Sequence, residues 1–140
     1  MIIVPYQAKH MEDLALQPAQ SRFLKHLTPE HAVALESGLA MTAMEDGRPL
    51  MCGGLAEMWS ERALLWSFIS SEAGRHFVAI HRATVRFLEV APYRRIEAEA
   101  DCDFPEAHRW LTMLGFVCEA PRMRAFRLDG GDSALYARVK

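Results

Sequence analysis

The sequence predicts an α/β fold whose elements run in the order β-α-α-β-β-β-α-β-α-β-β. An apolar run from Leu64 to Ile69 is followed by a small polar loop and then by a long amphipathic pattern that reaches about Val90. A segment of alternating character, Arg95 to Asp101, comes next. A second amphipathic helix then closes on Leu114-Gly115-Phe116. This succession of strand, loop, helix, strand and helix predicts the centre of the fold.

The length and composition predict one compact globular unit. The chain has 140 residues, of which 51% are hydrophobic and 24% are charged, so it is long enough for one substantial core. We therefore expect a single domain that spans residues 1–140. The formal net charge of -2 gives no overall attraction to nucleic acid or to anionic membranes, and we expect neither as a partner.

Cysteine and histidine usage indicates a reduced, metal-free protein. The three cysteines are widely spaced and form no C-x-x-C pair, which favours free thiols and a cytoplasmic location. The six histidines show no H-x-x-x-H or H-E-x-x-H spacing, so we predict no metal. The opening residues, Met1 to Tyr6, have no basic segment and are too short for a signal peptide or membrane helix.

The first third of the chain predicts one strand and three short helical stretches. Ile2 to Tyr6 is a β-rich run, and its Pro5 favours an edge position in a sheet. Lys9 to Leu16 has helical spacing of apolar residues, and Ser21 to Leu27 indicates a turn or short helix. Thr28-Pro29-Glu30 is a good helix start, because Thr can cap the free amides and Pro is favoured at the first helical position.

The middle of the chain predicts a hairpin, a central strand and a long helix. Leu39 to Met44 and Leu50 to Trp59 are joined by Asp46-Gly47-Arg48-Pro49, which is typical of a hairpin turn. The apolar run from Leu64 to Ile69 predicts a strand buried on both faces in the middle of a sheet. The helix after it should pack on the sheet through Phe77, Ile80, Thr84, Phe87 and Leu88. We expect the three tryptophans to lie in the core: Trp59, Trp66 and Trp110.

The last third predicts a two-faced strand, a helix and a hairpin. Along Arg95 to Asp101 the alanines and Ile96 face one way, and the charged residues Arg95, Glu97, Glu99 and Asp101 face the other. The following helix should stop at Gly115. The tail predicts strands over 116–120, 122–128 and 134–139, with a turn at Asp129-Gly130-Gly131-Asp132.

This order of elements resembles the fold of the GNAT (GCN5-related N-acetyltransferase) family. The Asp46-Gly47 hairpin resembles the second and third strands of the family, Leu64 to Val90 resembles its acyl-CoA pyrophosphate site, and Ala107 to Phe116 resembles its helix ending in Gly-Phe. The resemblance covers the whole chain and implies a mixed, mostly antiparallel seven-stranded sheet flanked by about four helices. The segment from Trp66 to the H-R-W-L-x-x-L-G ending at Gly115 also resembles GNAT-like proteins of short-tailed bacteriophages, which implies a phage-encoded protein in the host cytoplasm.

The resemblance implies that acetyl-CoA is the cosubstrate. The loop of the family reads Q/R-x-x-G-x-G/A, in which small residues let backbone N–H groups close on a pyrophosphate at a helix N-terminus. Ser71-Glu72-Ala73-Gly74-Arg75-His76 keeps the central glycine, replaces Q/R by Ser71 and places His76 where a small residue is expected. Arg75 and His76 could bind phosphate oxygens, whereas Glu72 would repel them. We predict that the cofactor is held by Ile69, Ser70, Ser71, Gly74, Arg75, His76 and Asp103.

Acetyl transfer to an amine requires a base, a polarised thioester and a proton donor near the sulfur. The sequence offers carboxylates as bases at Glu57 and on the Glu97, Glu99 and Asp101 face, although that face could simply be solvated. Many family members place the acid, a Tyr, at the position of Leu111. Other possible proton donors are Tyr93, Tyr136 and Cys102, although each of these side chains could instead serve only in packing. Cys102, His108 and Asp103 have the residue types of a nucleophile site, but no motif in the sequence orients them. The catalytic residues that we assign are Glu57, Glu97 and Tyr93.

Two functional hypotheses follow from the resemblance. The first is an acyl-CoA-dependent N-acetyltransferase that acts on an amine of a protein or small molecule. The second is a GNAT-like phage protein without catalysis, which serves in virion assembly or binds a host protein, since His76 and Leu111 depart from the family pattern. Apolar residues on the C-terminal hairpin, such as Phe126 and Leu135, would support a homodimer.

Overall fold

The computed structural model describes residues 1–23 and 26–140. In that part of the chain the strands are β1 (Ile2–Pro5), β2 (Leu39–Glu45), β3 (Arg48–Trp59), β4 (Arg62–Ile69), β5 (Arg95–Asp101), β6 (Val117–Met123) and β7 (Ser133–Val139). The α-helices are α1 (Ala8–Asp13), α2 (Pro29–Ala34), α3 (Phe77–Val90) and α4 (Pro105–Met113). Short 3-10 segments cover Pro18–Phe23, Leu35–Ser37 and Gly74–His76. Leu24, part of the predicted turn or short helix, lies outside the described residues.

The strands form one mixed sheet in the order β1-β2-β3-β4-β5-β7-β6. β4 and β5 pair in parallel, whereas the β1–β2, β2–β3, β5–β7 and β6–β7 pairs are antiparallel. The predicted seven-stranded, mostly antiparallel sheet is thus confirmed. β1 lies at the edge of the sheet, where Pro5 was expected because it has no N–H to donate.

Three expectations differ from the structure. β4 is the fourth of the seven strands, but Leu64 to Ile69 are partly exposed rather than buried on both faces. Trp59 is 56% exposed, because it is the last residue of β3 and stacks under the Arg62 guanidinium, 4.6 Å from the ring centroid, instead of entering the core. The tail contains one strand before its turn, β6, and residues 124–128 are not part of it.

The chain divides into two compact units. The first consists of Met1–Ala56 and Trp66–Leu88, and the second of Glu57–Leu65 and Glu89–Lys140. Among the described residues, no helix is long and apolar enough to cross a membrane.

The first unit is built on the β2–β3 hairpin and α3. Asp46 and Gly47 have φ values of 50° and 76°, which is the backbone of the tight hairpin turn that Asp-Gly favours. Ile80 and Leu88 of α3 are fully buried, as are Leu55 and Cys52 of β3. The apolar face predicted for α3 is therefore buried at Ile80, Thr84 and Leu88.

The second unit is built on β5, β7, β6 and α4. β5 pairs with β7 along its whole length, from Arg95 opposite Val139 to Asp101 opposite Ser133. Its Ile96, Ala98 and Ala100 are buried, so this face of the predicted alternation is confirmed. Gly115 has a φ of 88° and ends α4, the left-handed stop expected from the sequence.

Candidate functional site

The loop between β4 and α3 is fixed on both sides by backbone hydrogen bonds within the first unit. The Ser70 N–H donates to the Leu50 carbonyl at 2.8 Å, and the Ser71 N–H donates to the Ala15 carbonyl at 2.9 Å. Inside the loop, the Ser70 hydroxyl oxygen accepts the N–H of Glu72 at 3.0 Å, and the Ser70 carbonyl accepts the N–H of Ala73 at 3.2 Å. These hydrogen bonds tie the loop to its neighbours in the first unit.

Gln20 supports the strand that leads into this loop. Its side-chain nitrogen donates to the Ser67 carbonyl at 2.8 Å, and its side-chain oxygen accepts the N–H of Ile69 at 2.9 Å. An amide side chain thus satisfies one acceptor and one donor at the end of β4. No local pattern in the sequence marks this role, because the partners lie 47 and 49 residues away.

Two amides of the loop are open to a ligand. In the part of the chain that the structure describes, the N–H groups of Gly74 and Arg75 donate to no protein acceptor. They begin the 3-10 turn Gly74–His76, which runs directly into the 14 residues of α3. Free N–H groups at a helix start, together with the positive end of the helix dipole, favour an anion such as phosphate.

The sequence predicts that Glu72 repels an anion at this loop, but in the structure its charge is partly compensated. Glu72 is paired with Arg48 at 3.2 Å, although both side chains are well exposed, so its negative charge is partly compensated. The His76 ring points toward β2, where its Nδ1 lies 3.9 Å from a carboxylate oxygen of Glu45. Arg75 is exposed at the start of the helix.

The predicted cofactor residues fall into both units. Six of them lie together at the end of β4 and in the loop after it: Ile69, Ser70, Ser71, Gly74, Arg75 and His76. Asp103 lies in the second unit, where its exposed carboxylate is 3.7 Å from the Arg127 guanidinium. The assignment of these residues to a cofactor stays a prediction.

Glu97 on β5 is held by two guanidinium groups. It accepts hydrogen bonds from Arg62 at 2.5 and 2.7 Å and from Arg95 at 2.7 Å, and it is only 6% exposed. The Arg62 hydrogen bond first, and then that of Arg95, lower the pKa of Glu97 from 4.5 to about 2. A carboxylate with so low a pKa is a weak base, so its geometry favours holding the strand over accepting a proton.

Asp101 and Glu99 complete this face of β5 and differ from each other. The buried carboxylate of Asp101 lies 3.0 Å from the Arg127 guanidinium. Glu99 is exposed, and among the described residues no ion pair is formed by its carboxylate. The protein nevertheless surrounds Glu99 closely enough that lost hydration, followed by the like charges of Glu97 and Asp101, raises its pKa. Glu97 and Asp101 are thus buried and paired with arginines, whereas Glu99 is the exposed carboxylate of this face.

The structure brings two of the predicted catalytic residues together. The Tyr93 hydroxyl donates to a carboxylate oxygen of Glu57 at 3.0 Å. Burial, and then the bond and charge of Glu57, raise the pKa of Tyr93. Its proton is directed at Glu57, which itself is exposed, and Glu97 is not part of this pair. The catalytic role of all three residues stays a prediction.

His108 pairs with Tyr136, which the sequence did not indicate. Its Nε2 lies 2.9 Å from the Asp101 carbonyl and its Nδ1 lies 2.7 Å from the Tyr136 hydroxyl. A carbonyl can only accept, so Nε2 donates to the Asp101 carbonyl, and Nδ1 and the Tyr136 hydroxyl share a hydrogen bond. Both ring nitrogens are thus used, and the Cys102 thiol instead donates to the Pro121 carbonyl at 3.5 Å. The Cys-His-Asp nucleophile considered from the sequence is not assembled.

Leu111 occupies the helix position at which many GNAT enzymes carry a Tyr. It is 7% exposed and is the buried residue of α4. Its side chain offers no proton to a leaving group. Among the described residues, no three His, Cys, Asp or Glu side chains are grouped in a way that could hold a metal ion.

The fold of this chain is similar to that of several solved structures. No family model and no curated protein matches the sequence. Ard1 from Thermoplasma volcanium is 18% identical, with a TM-score of 0.79 over 99% of this chain and 96% of that chain. An N-acetyltransferase from Staphylococcus aureus Mu50 is 13% identical, with a TM-score of 0.76 over 99% and 97%. A GNAT-family acetyltransferase from Bacillus anthracis is 13% identical, with a TM-score of 0.70 over 98% and 93%. The fold of this chain is the GNAT fold.

Proposed function

We propose that residues 1–140 act as a single acyl-CoA-dependent N-acetyltransferase domain, which moves the acetyl group of acetyl-CoA to an amine of a protein or small molecule. The observation that carries the proposal is the pair of free N–H groups, Gly74 and Arg75, at the start of α3. The likeness in fold to N-acetyltransferases along almost the whole chain supports the same function. Fold alone does not set an activity, so the loop has to be tested directly.

The loop would hold the pyrophosphate of the cofactor. Phosphate oxygens would accept from the Gly74 and Arg75 amides, and the Arg75 guanidinium would add a charge-assisted bond. The pairing of Glu72 with Arg48 lowers the repulsion that a free carboxylate would exert. His76, whose ring points toward Glu45, would add positive charge when protonated.

The chemistry needs little covalent help from the protein. The neutral amine nitrogen forms a C–N bond to the thioester carbonyl carbon and loses a proton to a base. The C–S bond breaks, and the sulfur of CoA takes a proton from an acid. Tyr93 is the acid that we assign, and its hydrogen bond to Glu57 has to break before its proton can leave. Leu111 supplies no proton, so water is the other source for the thiolate.

Gly74→Glu is expected to abolish acetyl-CoA binding without unfolding the protein. No atom lies within 4 Å of a β-carbon built at this glycine, and its φ is outside the left-handed region, so a side chain adds no strain. The new carboxylate would stand beside the amides proposed to bind phosphate and repel it. Isothermal titration should show micromolar binding to the native chain and none to the variant.

Gly74→Gln is the matched control, because it has nearly the same size and no charge. It should bind more tightly than Gly74→Glu, and circular dichroism should be the same for both. If the native chain shows no binding at millimolar acetyl-CoA, the proposed function is wrong. Equal binding by the two variants would mean that the phosphates lie elsewhere.

A GNAT-like phage protein that acts in virion assembly or by binding a host protein is the second candidate function. The observation that favours it is the buried Leu111 at the position of the family's acid. Absence of acetyl-CoA binding in the same titration would support it. Phage structural genes beside the coding sequence would support the phage origin.

A further inference from the structure

Residues 15–20, the strap, follow α1 and hydrogen-bond to the end of β4 like a short extra strand. The Gln17 N–H donates to the Ile69 carbonyl at 2.9 Å, and the Ser71 N–H donates to the Ala15 carbonyl at 2.9 Å. These two bonds flank an isolated antiparallel bridge between the two segments. Both segments belong to the first unit, so the strap is a feature of that unit alone.

The side chain of Gln20 extends this pairing. Its amide nitrogen donates to the Ser67 carbonyl at 2.8 Å, and its amide oxygen accepts the Ile69 N–H at 2.9 Å. The side-chain nitrogen of Gln17 donates to the same oxygen at 3.0 Å and holds it in place. The strap thus occupies the carbonyls of Ser67 and Ile69 and the N–H groups of Ile69 and Ser71.

All of these groups lie on the edge of β4 that faces away from β3. The Ser70 N–H donates to the Leu50 carbonyl of β3 at 2.8 Å, and the backbone groups of successive strand residues point to opposite edges. The groups of Ile69 and Ser71 therefore point away from β3. In the described ladder, the pairing of β4 with β5 ends at Leu64, so the strap covers a strand end that this ladder does not use.

The open edge of a strand binds extended chains that carry amide groups. The pantetheine arm of acetyl-CoA is such a chain, because it carries amide N–H and C=O groups and is joined to the pyrophosphate. The Gly74 and Arg75 amides that we propose to bind the pyrophosphate lie in the loop that directly follows β4. An arm that runs from this loop along β4 would need the backbone groups that the strap occupies.

We propose that the strap competes with the pantetheine arm of acetyl-CoA for this edge of β4, an inference that rests on the proposed N-acetyltransferase function. When the strap lies on β4, the N–H and C=O groups of the strand end are satisfied and the edge is closed. When the strap is released, the same groups bind the amides of the arm. Acetyl-CoA therefore selects the open state, and its apparent affinity falls in proportion to the fraction of molecules that are open.

The strap is held by hydrogen bonds rather than by a core. None of residues 15–20 is fully buried, and Ala15 and Pro18 are exposed. A segment with few buried apolar contacts opens at a lower free energy than the core does. Release of the strap therefore does not require the first unit to unfold.

A reversible disulfide between the strap and β4 tests the competition. Leu16 and Ser70 form the antiparallel bridge and are not hydrogen-bonded to each other, so their Cα atoms are about 4.5 Å apart, a separation that suits a disulfide. In the double variant Leu16→Cys with Ser70→Cys, oxidation fixes the strap on β4 and reduction frees it. We expect isothermal titration to show acetyl-CoA binding about 100-fold weaker for the oxidised form than for the reduced form. Ser70→Cys alone is the control and should bind equally with and without oxidant.

Gln20→Met tests the opposite change, because it removes both side-chain bonds to β4 and keeps a side chain of similar length. We expect it to bind acetyl-CoA about tenfold more tightly than the native chain, with the same circular dichroism. Glu12→Met, which places the same new side chain at an exposed position of α1, is the matched control and should bind like the native chain.

Hydrogen exchange of the native chain distinguishes displacement of the strap from binding on top of it. The Gln17 N–H is protected by the Ile69 carbonyl, so displacement by acetyl-CoA should make its exchange faster. Slower exchange of this N–H in the presence of acetyl-CoA would mean that the strap stays in place, which contradicts the inference.

The outcomes separate this inference from the proposed function. Equal acetyl-CoA affinity of the oxidised and reduced forms would show that the strap and the arm do not compete, and the proposed function would stand. Weaker binding by Gln20→Met than by the native chain would also overturn the inference, because the strap would then serve the bound state. If the native chain shows no binding at millimolar acetyl-CoA, the proposed function is wrong and the inference falls with it.

Discussion

Gly54→Ala is expected to lower the free energy of unfolding by roughly 3 kcal/mol or more. Gly54 lies on β3 opposite Ala40 of β2. A β-carbon at this position would lie 2.7 Å from the Ala40 Cα and even closer to the Leu39 carbonyl oxygen. These are backbone atoms, so they cannot rotate away as a side chain would. The two strands would have to separate locally and lose ladder hydrogen bonds.

Urea denaturation of the variant and the native chain measures this effect. Gly74→Ala is the control, because the space around that glycine is open and its φ is not in the left-handed region. It should change the free energy of unfolding by no more than about 0.5 kcal/mol. Equal midpoints for Gly54→Ala and the native chain would show that β2 and β3 are not as close as described.

Glu97→Gln is expected to destabilise the protein by about 2 kcal/mol at pH 7. The pKa of Glu97 is lowered from 4.5 to about 2, which corresponds to about 3 kcal/mol, and solvent around the partly exposed guanidinium groups reduces this. The lowered pKa stabilises the folded state fully above pH 4.5, and this stabilisation is lost as the pH falls toward 2. The difference in the free energy of unfolding between the native chain and the variant should therefore shrink as the pH falls through that range.

The measurement is the free energy of unfolding of both chains at pH 7 and at several values between 4.5 and 2. Their difference reports on Glu97 and on the two carboxylates on which its charge acts, Glu99 and Glu119. Glu106→Gln breaks an exposed pair with Arg109, 3.8 Å long, and should change little at any pH. A difference between native and Glu97→Gln that stays constant down to pH 2 would contradict the assignment.

The features of the fold that are set by residues adjacent in the sequence could be predicted. The Asp46-Gly47 turn, the left-handed Gly115 and the edge position of Pro5 each follow from the backbone preference of one or two residues. The alternation along β5 likewise gave the buried face of Ile96. Local chemistry determines these features, so a single sequence is enough.

The charge pattern of the candidate site depends on strand order, which local patterns do not specify. Arg62 and Glu97 are 35 residues apart, and His108 and Tyr136 are 28 apart. Alternation predicted that Glu97 and Glu99 share a face, but only the parallel pairing of β4 with β5 brings Arg62 to Glu97. The sequence could therefore suggest carboxylates for catalysis without showing which one was neutralised.

Because Cys52 is buried while the other two thiols are accessible, thiol labelling can measure the rate at which the first unit opens. Cys52 lies in that unit and is 0% exposed, and burial raises its pKa to about 11. Cys102 and Cys118 lie in the second unit and are at least partly accessible. A short pulse of alkylating reagent would label these two at once, whereas Cys52 would react only when its surroundings open. Mass analysis after such pulses would give the opening rate around β3 separately from the rest of the molecule.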